Sequence, residues 1–306
     1  MIVSVLYLIV GSVLLYFGAD WMVKSSVHIA SRLNISRFVI GLTIVAFGTS
    51  LPELGVSLKA ALFNKSGIAI GNIIGSNITN ILLVLGFCSL FSPIVISFSL
   101  IRKDIFIYLG VCVLLILLMW NGILEQWEGI LLFTGLIFYT IHSFITDKSD
   151  NNDFDAPVSN WYKTILFLVL GIVLLYFGSE YFIDGAIGIA KIIGVNDLII
   201  GMSVVALGTS LPELVTSVFA VIKKEHSISV GNILGSNLFN ILSVLGLVSS
   251  ITPLSVERSI FSFEIPFMIG TGLLLIPISL MQGPISKGIS FLMLSGYFIF
   301  IIILFT

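Results

Sequence analysis

Charge is what this 306-residue chain has least of. Lysine and arginine together number 14, aspartate and glutamate 16, and only 10% of residues are charged, against about 25% in a soluble domain. A surface that poor in charge cannot face water. With 58% hydrophobic residues and a mean hydropathy of +1.17, a large soluble core is excluded. Cysteine is nearly absent too. Cys88 and Cys112 stand alone in apolar runs, which makes neither a disulfide framework nor a metal cluster and leaves small core residues. His28, His142 and His226 fall at or near the ends of apolar runs and read as surface residues. The net charge of −2 says nothing in favour of nucleic acid, and none is expected as a partner. Hydrophilic sequence is confined to "TDKSDNNDFDAP", Thr146 to Pro157. Its Asp and Asn cannot bury apolar surface, so it reads as an exposed linker.

What is abundant is apolar sequence in lengths that cross a bilayer, for which ~20 residues suffice. Ten segments emerge, roughly 2–22, 37–62, 67–91, 104–120, 124–145, 162–184, 197–222, 227–250, 260–281 and 286–305. Met1 to Val23 has no basic n-region and no small-residue cleavage site, so it reads as a first membrane helix rather than a signal peptide. Ten is even, which puts both termini on one side. Ten basic residues then fall on the side of the linker and four on the side of the termini. The positive-inside rule places the linker in the cytoplasm and both termini outside. A multi-pass protein of the plasma membrane is expected, with the lipid bilayer as its solvent.

Shifted by 160 residues, the chain overlays itself without a gap. "LLYFG" at 14–18 recurs at 174–178. From Gly41 to Ser57, 11 of 17 residues match their partners, and from Gly71 to Gly86, 12 of 16. The repeat is too long for a solenoid unit. It holds five spans, and five is odd, so the second copy must cross the membrane in the opposite sense. The expected fold is therefore an all-α integral membrane protein of ten transmembrane helices, in two inverted five-helix repeats. The first covers 1–145 with its strongest matches at 41–86. The linker is 146–161. The second covers 162–306 with its matches at 201–246. Secondary transporters are often built this way, with the site near mid-membrane where the repeats meet.

The same heptapeptide, "GTSLPEL", stands at 48–54 and at 208–214. Pro52 and Pro212 lack an amide hydrogen and push away the carbonyl four residues back, so the helices are expected to open at Gly48 and Gly208. Freed carbonyls are tolerated at membrane depth only where they face protein or a wet cavity. Thr49 and Ser50 lie four and three residues before Glu53, on one helix face. Thr209, Ser210 and Glu213 repeat the pattern. In the following span Ser76 and Asn80 are four apart, as are Ser236 and Asn240, with Asn72 and Asn232 one turn earlier. Gly71 with Gly75, and Gly231 with Gly235, read as close-packing pairs. Asn72, Asn77, Asn232 and Asn237 suit either a site or ties between helices. The glutamates are different, because a carboxylate at a helix centre costs ~3 kcal/mol on the lenient insertion scale. Two symmetric ones, each beside hydroxyls and a proline, point to a site. An all-oxygen donor set without Cys or His disfavours zinc and copper and suits Ca²⁺ and Na⁺ better than Mg²⁺. Asp20 and Glu180 match across the repeat and read as interfacial caps. No nucleophile–base pair stands among the spans, so an enzyme is not expected.

These motifs resemble the cation/calcium antiporter superfamily, most closely its prokaryotic sodium/calcium exchanger-like members. The resemblance rests on both "GTSLPEL" copies and on "GNIIGSNITN" with "GNILGSNLFN", and it covers most of the chain. It implies broken helices at a central ion site. Its ligands would be Thr49, Ser50, Glu53, Ser76, Asn80, Thr209, Ser210, Glu213, Ser236 and Asn240, with backbone carbonyls at Ala46 and Ala206. It further implies exchange of Ca²⁺ for Na⁺ by alternating access at a shared site. Ca²⁺ and Na⁺ would be transported ions rather than cofactors, and no cofactor and a monomer are expected. Some archaeal members carry Asp where this chain has Asn240, so the amide here removes a third carboxylate. The alternative within transport is Ca²⁺/H⁺ antiport, and outside it a channel.

Overall fold

The computed structural model describes residues 1–146, 160–194, 206–281 and 283–304. Residues 147–159 of the expected linker, with Asp147, Asp150, Asp153 and Asp155, lie outside the described residues, as do 197–205 of the seventh expected span and Thr306. The described part is helical. In order, the helices are α1 (Ile2–Leu33), α2 (Arg37–Thr49), α3 (Leu51–Leu62), α4 (Ser66–Phe91), α5 (Phe98–Leu118), α6 (Gln126–Thr146), α7 (Trp161–Ile192), α8 (Ala206–Thr209), α9 (Leu211–Ile222), α10 (His226–Ile251), α11 (Glu264–Leu280) and α12 (Lys287–Leu304). Eight are long and apolar enough to cross a membrane. α2 and α3 form one further span bent by 43°, and α9 is a shorter apolar helix. The sequence leads one to expect ten spans; the described residues supply eight, or nine with the bent pair.

Local signals set the boundaries. Asn34 closes α1 in the left-handed conformation, with φ 54°, a helix-ending geometry that Asn tolerates. Ser36 caps α2 by accepting the amide of Val39 at 3.2 Å. The turns after α3 and α9 share a left-handed residue at equivalent positions, Asn64 and Lys224. The repeat is thus visible in backbone geometry as well as in letters.

α4 and α10 form the centre. In their most apolar windows 78% and 89% of residues are buried, against 22–39% in the other long helices. The outer helices present large apolar side chains such as Leu292, Phe298 and Ile302 to the outside, a surface suited to lipid and not to water. The equivalent helices α1 and α7 run antiparallel along their length. Gly11 lies against Gly178 and Phe182, Gly18 against Gly171 and Leu175, and Gly185 against Ser4 and Leu8. One addition to the all-α expectation is a two-residue antiparallel pair, β1 (Ile123–Leu124) with β2 (Leu254–Ser255), extended by Val256 N donating to Gly122 O at 2.8 Å. A second loop bond runs from Ile285 N to Ile94 O, at 2.9 Å. In both cases one half's loop is stitched to the other's.

Two ion pairs also join the halves. Asp20 on α1, read from the sequence as an interfacial cap, pairs with Lys24 at 2.8 Å and with Lys223 of the turn after α9. Arg37 Nη1 reaches both carboxylate oxygens of Glu225 at 2.8 Å.

The glycine pairs behave differently in the two halves. Gly231 and Gly235 bring α10 onto α2: a Cβ at Gly235 would overlap the carbonyl oxygen of Leu42 and lie 2.7 Å from Ala46 Cβ. Gly71 and Gly75 have no atom of the described residues within 4 Å of a Cβ position. Gly235→Val should therefore lower the thermal midpoint of the detergent-solubilised protein. Overpacking costs about 1–3 kcal/mol, and each kcal/mol moves the midpoint by roughly 2–4 °C. Gly110→Val is the control, since nothing lies within 4 Å there. Equal effects of the two substitutions would refute the close-approach role of Gly235.

Candidate ion-binding site

The site is assembled where α2–α3, α4, α8–α9 and α10 meet. The break between α2 and α3 is at Ser50, with φ −84° and ψ 7°, and its partner Ser210 has φ −86° and ψ 6°. This corrects the expectation that the helices open at Gly48 and Gly208. Ser50 N still reaches Ala46 O at 3.0 Å and Leu54 N reaches Ser50 O at 3.2 Å. Pro52 sits in the first turn of α3, where its missing amide would have had no helical partner. Gly48 instead allows close approach, because a Cβ there would meet Met22 Cε at 2.6 Å and Ile172 Cγ1 at 2.8 Å.

The break turns the first turns of α3 and α9 inward, and with them Glu53 and Glu213, both 0% exposed. Each glutamate is held from the opposite half. Ser50 Oγ donates to Glu213 Oε1 at 3.1 Å, and Ser210 Oγ donates to Glu53 Oε1 at 3.5 Å. Ser76 Oγ adds a bond to Glu53 Oε1 at 3.4 Å. Thr49 Oγ1 lies 3.3 Å from Ser236 Oγ and donates to Asn232 Oδ1 at 3.1 Å. Thr209 Oγ1 donates to Asn72 Oδ1 at 3.3 Å. The side chains of Thr49, Ser50, Glu53, Ser76, Asn80, Thr209, Ser210, Glu213, Ser236 and Asn240 are all buried. Ala46 O accepts from Ser50 N and also from Thr49 Oγ1, the latter at 3.3 Å. Ala206 begins α8.

Four oxygens stand out. Glu53 Oε2, Glu213 Oε2, Asn80 Oδ1 and Asn240 Oδ1 are buried without a hydrogen-bond partner. They are two symmetry-related pairs, and all are acceptors. Such groups are expensive in a dry interior, and an uncompensated carboxylate costs several kcal/mol. The ion pairs described above lie elsewhere, on Asp20 and Arg37. Among the described residues no group of three or more His, Cys, Asp or Glu gathers, and the donors assembled here are oxygens rather than the thiolates and imidazoles that zinc and copper favour. Two carboxylates, hydroxyls that can turn their lone pairs inward, and two amide oxygens form a hard, all-oxygen environment that suits a cation without a strict geometry.

Ser57 and Ser217 escaped the sequence reading, and Asn72 and Asn232, left open there between a site and ties between helices, act as ties. Asn72 Nδ2 holds the start of α3 by donating to Glu53 O at 3.3 Å and to Ser57 Oγ at 3.0 Å. Asn232 does the same with Glu213 O at 3.5 Å and Ser217 Oγ at 3.0 Å. Ser57 and Ser217 match across the repeat four residues after each glutamate, a signal available in the letters. Two other buried acids belong to the scaffold. Asp104 accepts from Tyr139 Oη at 2.7 Å, and Glu128 accepts the Glu125 amide at 2.8 Å at the start of α6.

Known proteins resemble this chain along nearly its whole length. The profile of the family described as "Sodium/calcium exchanger protein" matches residues 3–145 and 163–306. The sodium/calcium exchanger MaX1 of Methanosarcina acetivorans is 34% identical, over 99% of this chain and 99% of that protein. The inner membrane protein YrbG of Escherichia coli is 31% identical, over 100% of this chain and 98% of its own. A solved structure of the sodium-calcium exchanger NCX_Mj, soaked with Na⁺ and Ca²⁺, superposes with a TM-score of 0.84 at 34% identity, covering 98% of this chain and 97% of that one.

The uncompensated carboxylates give a stability prediction. In chelator-containing, low-cation buffer, the double variant Glu53→Gln/Glu213→Gln should unfold at a higher temperature than the native protein. The amides remove two buried charges while keeping an oxygen for each serine. A lower midpoint for the double variant would show that the protein itself already compensates these charges.

Proposed function

The chain belongs to the sodium/calcium exchanger protein family, and on that premise we propose that it exchanges Ca²⁺ for Na⁺ across the plasma membrane at one shared site. The observation that carries this reading is the set of four buried, unpartnered oxygens on Glu53, Glu213, Asn80 and Asn240. Two carboxylates neutralise one Ca²⁺ or two Na⁺, and the hydroxyls of Thr49, Ser50, Ser76, Thr209, Ser210 and Ser236, with the carbonyls of Ala46 and Ala206, complete the proposed ligands. Loaded, the site is relieved of its uncompensated charge. Empty, it is held in a low-dielectric setting where Coulomb terms are large. That difference discourages return without cargo and couples the two ions.

The proposed architecture is ten spans in two inverted repeats, 1–145 and 162–306, in a single chain that contains the whole site. The antiparallel run of equivalent helices α1 and α7 supports inversion. Alternating access then moves the repeats around the loaded site, and a ligand shifts that equilibrium only by its differential affinity for the two states. The excess of Lys and Arg on the linker side supports a cytoplasmic linker with both termini outside. Single cysteines introduced at Val3 and Asn160 of a Cys88/Cys112-replaced protein should accordingly label from opposite faces; labelling of both from one face would overturn this topology.

The deciding experiment is ⁴⁵Ca²⁺ uptake into vesicles with Na⁺ varied on each face independently. Na⁺ on the same face as Ca²⁺ should raise the half-saturating Ca²⁺ concentration, and Na⁺ on the opposite face should speed uptake. Glu53→Gln and Glu213→Gln should each abolish exchange while the protein still inserts. Uptake that follows a pH gradient and ignores Na⁺ would replace this reading with Ca²⁺/H⁺ antiport. Near-normal flux in either glutamine variant would remove the site assignment itself.

A further inference from the structure

Asn77 and Asn237 belong to none of the ligands above, yet both are 0% exposed at the crossing of α4 and α10. Their amides are exchanged across the two halves. Asn77 Nδ2 donates to the backbone carbonyl of Asn237 at 3.2 Å, and Asn237 Nδ2 donates to the backbone carbonyl of Asn77 at 3.2 Å. A backbone carbonyl can only accept, so the direction of each amide is settled: the NH₂ faces the partner's backbone and Oδ1 faces the other way. On that other side waits the ligand amide of the opposite repeat. Asn240 Nδ2 donates to Asn77 Oδ1 at 3.0 Å, and Asn80 Nδ2 donates to Asn237 Oδ1 at 3.0 Å. The chain of consequence ends at Asn80 and Asn240. With their NH₂ groups taken, their Oδ1 atoms are the ends left over, and these are the buried, unpartnered oxygens.

An asparagine amide has nearly the same shape either way round, so packing alone does not choose between oxygen and nitrogen. A reversed amide would aim an NH₂ at a cation and weaken its binding. We propose that Asn77 and Asn237 are positioning residues for ion binding, a reciprocal amide lock that makes Asn80 and Asn240 present oxygen, and only oxygen, to the transported ion. The scaffold helix α11 backs the lock, with Met268 Sδ 3.7 Å from Asn77 Nδ2. The π-helical turns that begin at Asn80 and Asn240 lie next to it; such widened turns are frequent at functional sites. The inference rests on the reading of Asn80 and Asn240 as ligands and adds what directs them.

A double-mutant cycle separates positioning from a plain tie between helices. Half-saturating Ca²⁺ and maximal rate are measured in vesicles for Asn77→Leu, Asn240→Ala and the pair together, each normalised to inserted protein. Asn77→Leu should raise half-saturating Ca²⁺ roughly tenfold, the scale of one buried hydrogen bond to a partly charged site, with a smaller change in maximal rate. In the Asn240→Ala background the same substitution should add less than about twofold, because the group it directs is gone. Equal losses in both backgrounds would overturn the proposal and leave Asn77 a structural tie. An Asn240→Ala variant with native Ca²⁺ affinity would remove the ligand reading as well, which distinguishes the two failures. The mirror cycle, Asn237→Leu with Asn80→Ala, reads the same quantity if Asn77→Leu does not insert. If neither leucine variant inserts while both alanine variants do, the lock serves folding alone and the proposal falls.

Discussion

The structure turns on two carboxylates that the protein itself does not neutralise. Glu53 and Glu213 are wholly buried, and the ion pairs described above join Lys24 and Lys223 to Asp20 and Arg37 to Glu225 instead. An arrangement this unfavourable persists only where surrounding elements over-determine it. The pressure explains much of what encloses it: helices broken at Ser50 and Ser210 that turn first-turn glutamates inward, serines that donate from the opposite half, and a central pair of helices more deeply buried than the other long helices among the described residues. Each is a means of holding charge in a place that charge would not choose.

The support is wired crosswise. Ser50 holds Glu213 and Ser210 holds Glu53. Thr49 reaches Asn232 and Thr209 reaches Asn72, and these two asparagines in turn fix the backbone beside the glutamate of their own half. Neither repeat can complete its half of the proposed site without the other. The loop bonds at Ile94 and Gly122 repeat the same logic far from the centre. Individually most of these bonds are long and weak by ordinary criteria; their effect lies in a closed network that leaves two specific pairs of oxygens unmet.

Much of this was legible in the letters, for physical reasons that can be named. The glutamates could be read because charge at membrane depth is costly enough to need a cause. The repeat could be read because a gapless 160-residue shift preserves both motifs. The break was misplaced, because proline was taken as the agent when it only tolerates the first turn of a helix that Ser50 had already ended. Gly48 was read as backbone freedom where tertiary contact with Met22 and Ile172 decides it. Ser57 went unread, and Asn72 and Asn77 stayed open between a site and a tie, since a polar residue at helical spacing looks the same whether it faces a ligand or another helix. The partnership of Asp20 with Lys223 could not be foreseen, since it joins residues 203 apart that only the tertiary fold brings together.

The reciprocal amides of Asn77, Asn80, Asn237 and Asn240 carry a consequence for substitution. Each amide's direction depends on its neighbour's, and the ring closes through two backbone carbonyls that no substitution can alter. A change at one position leaves its counterpart's amide without a partner. A chain that changes one corner must find the missing partner elsewhere. The two halves carry the same letters at these four positions and are bound to one another through them.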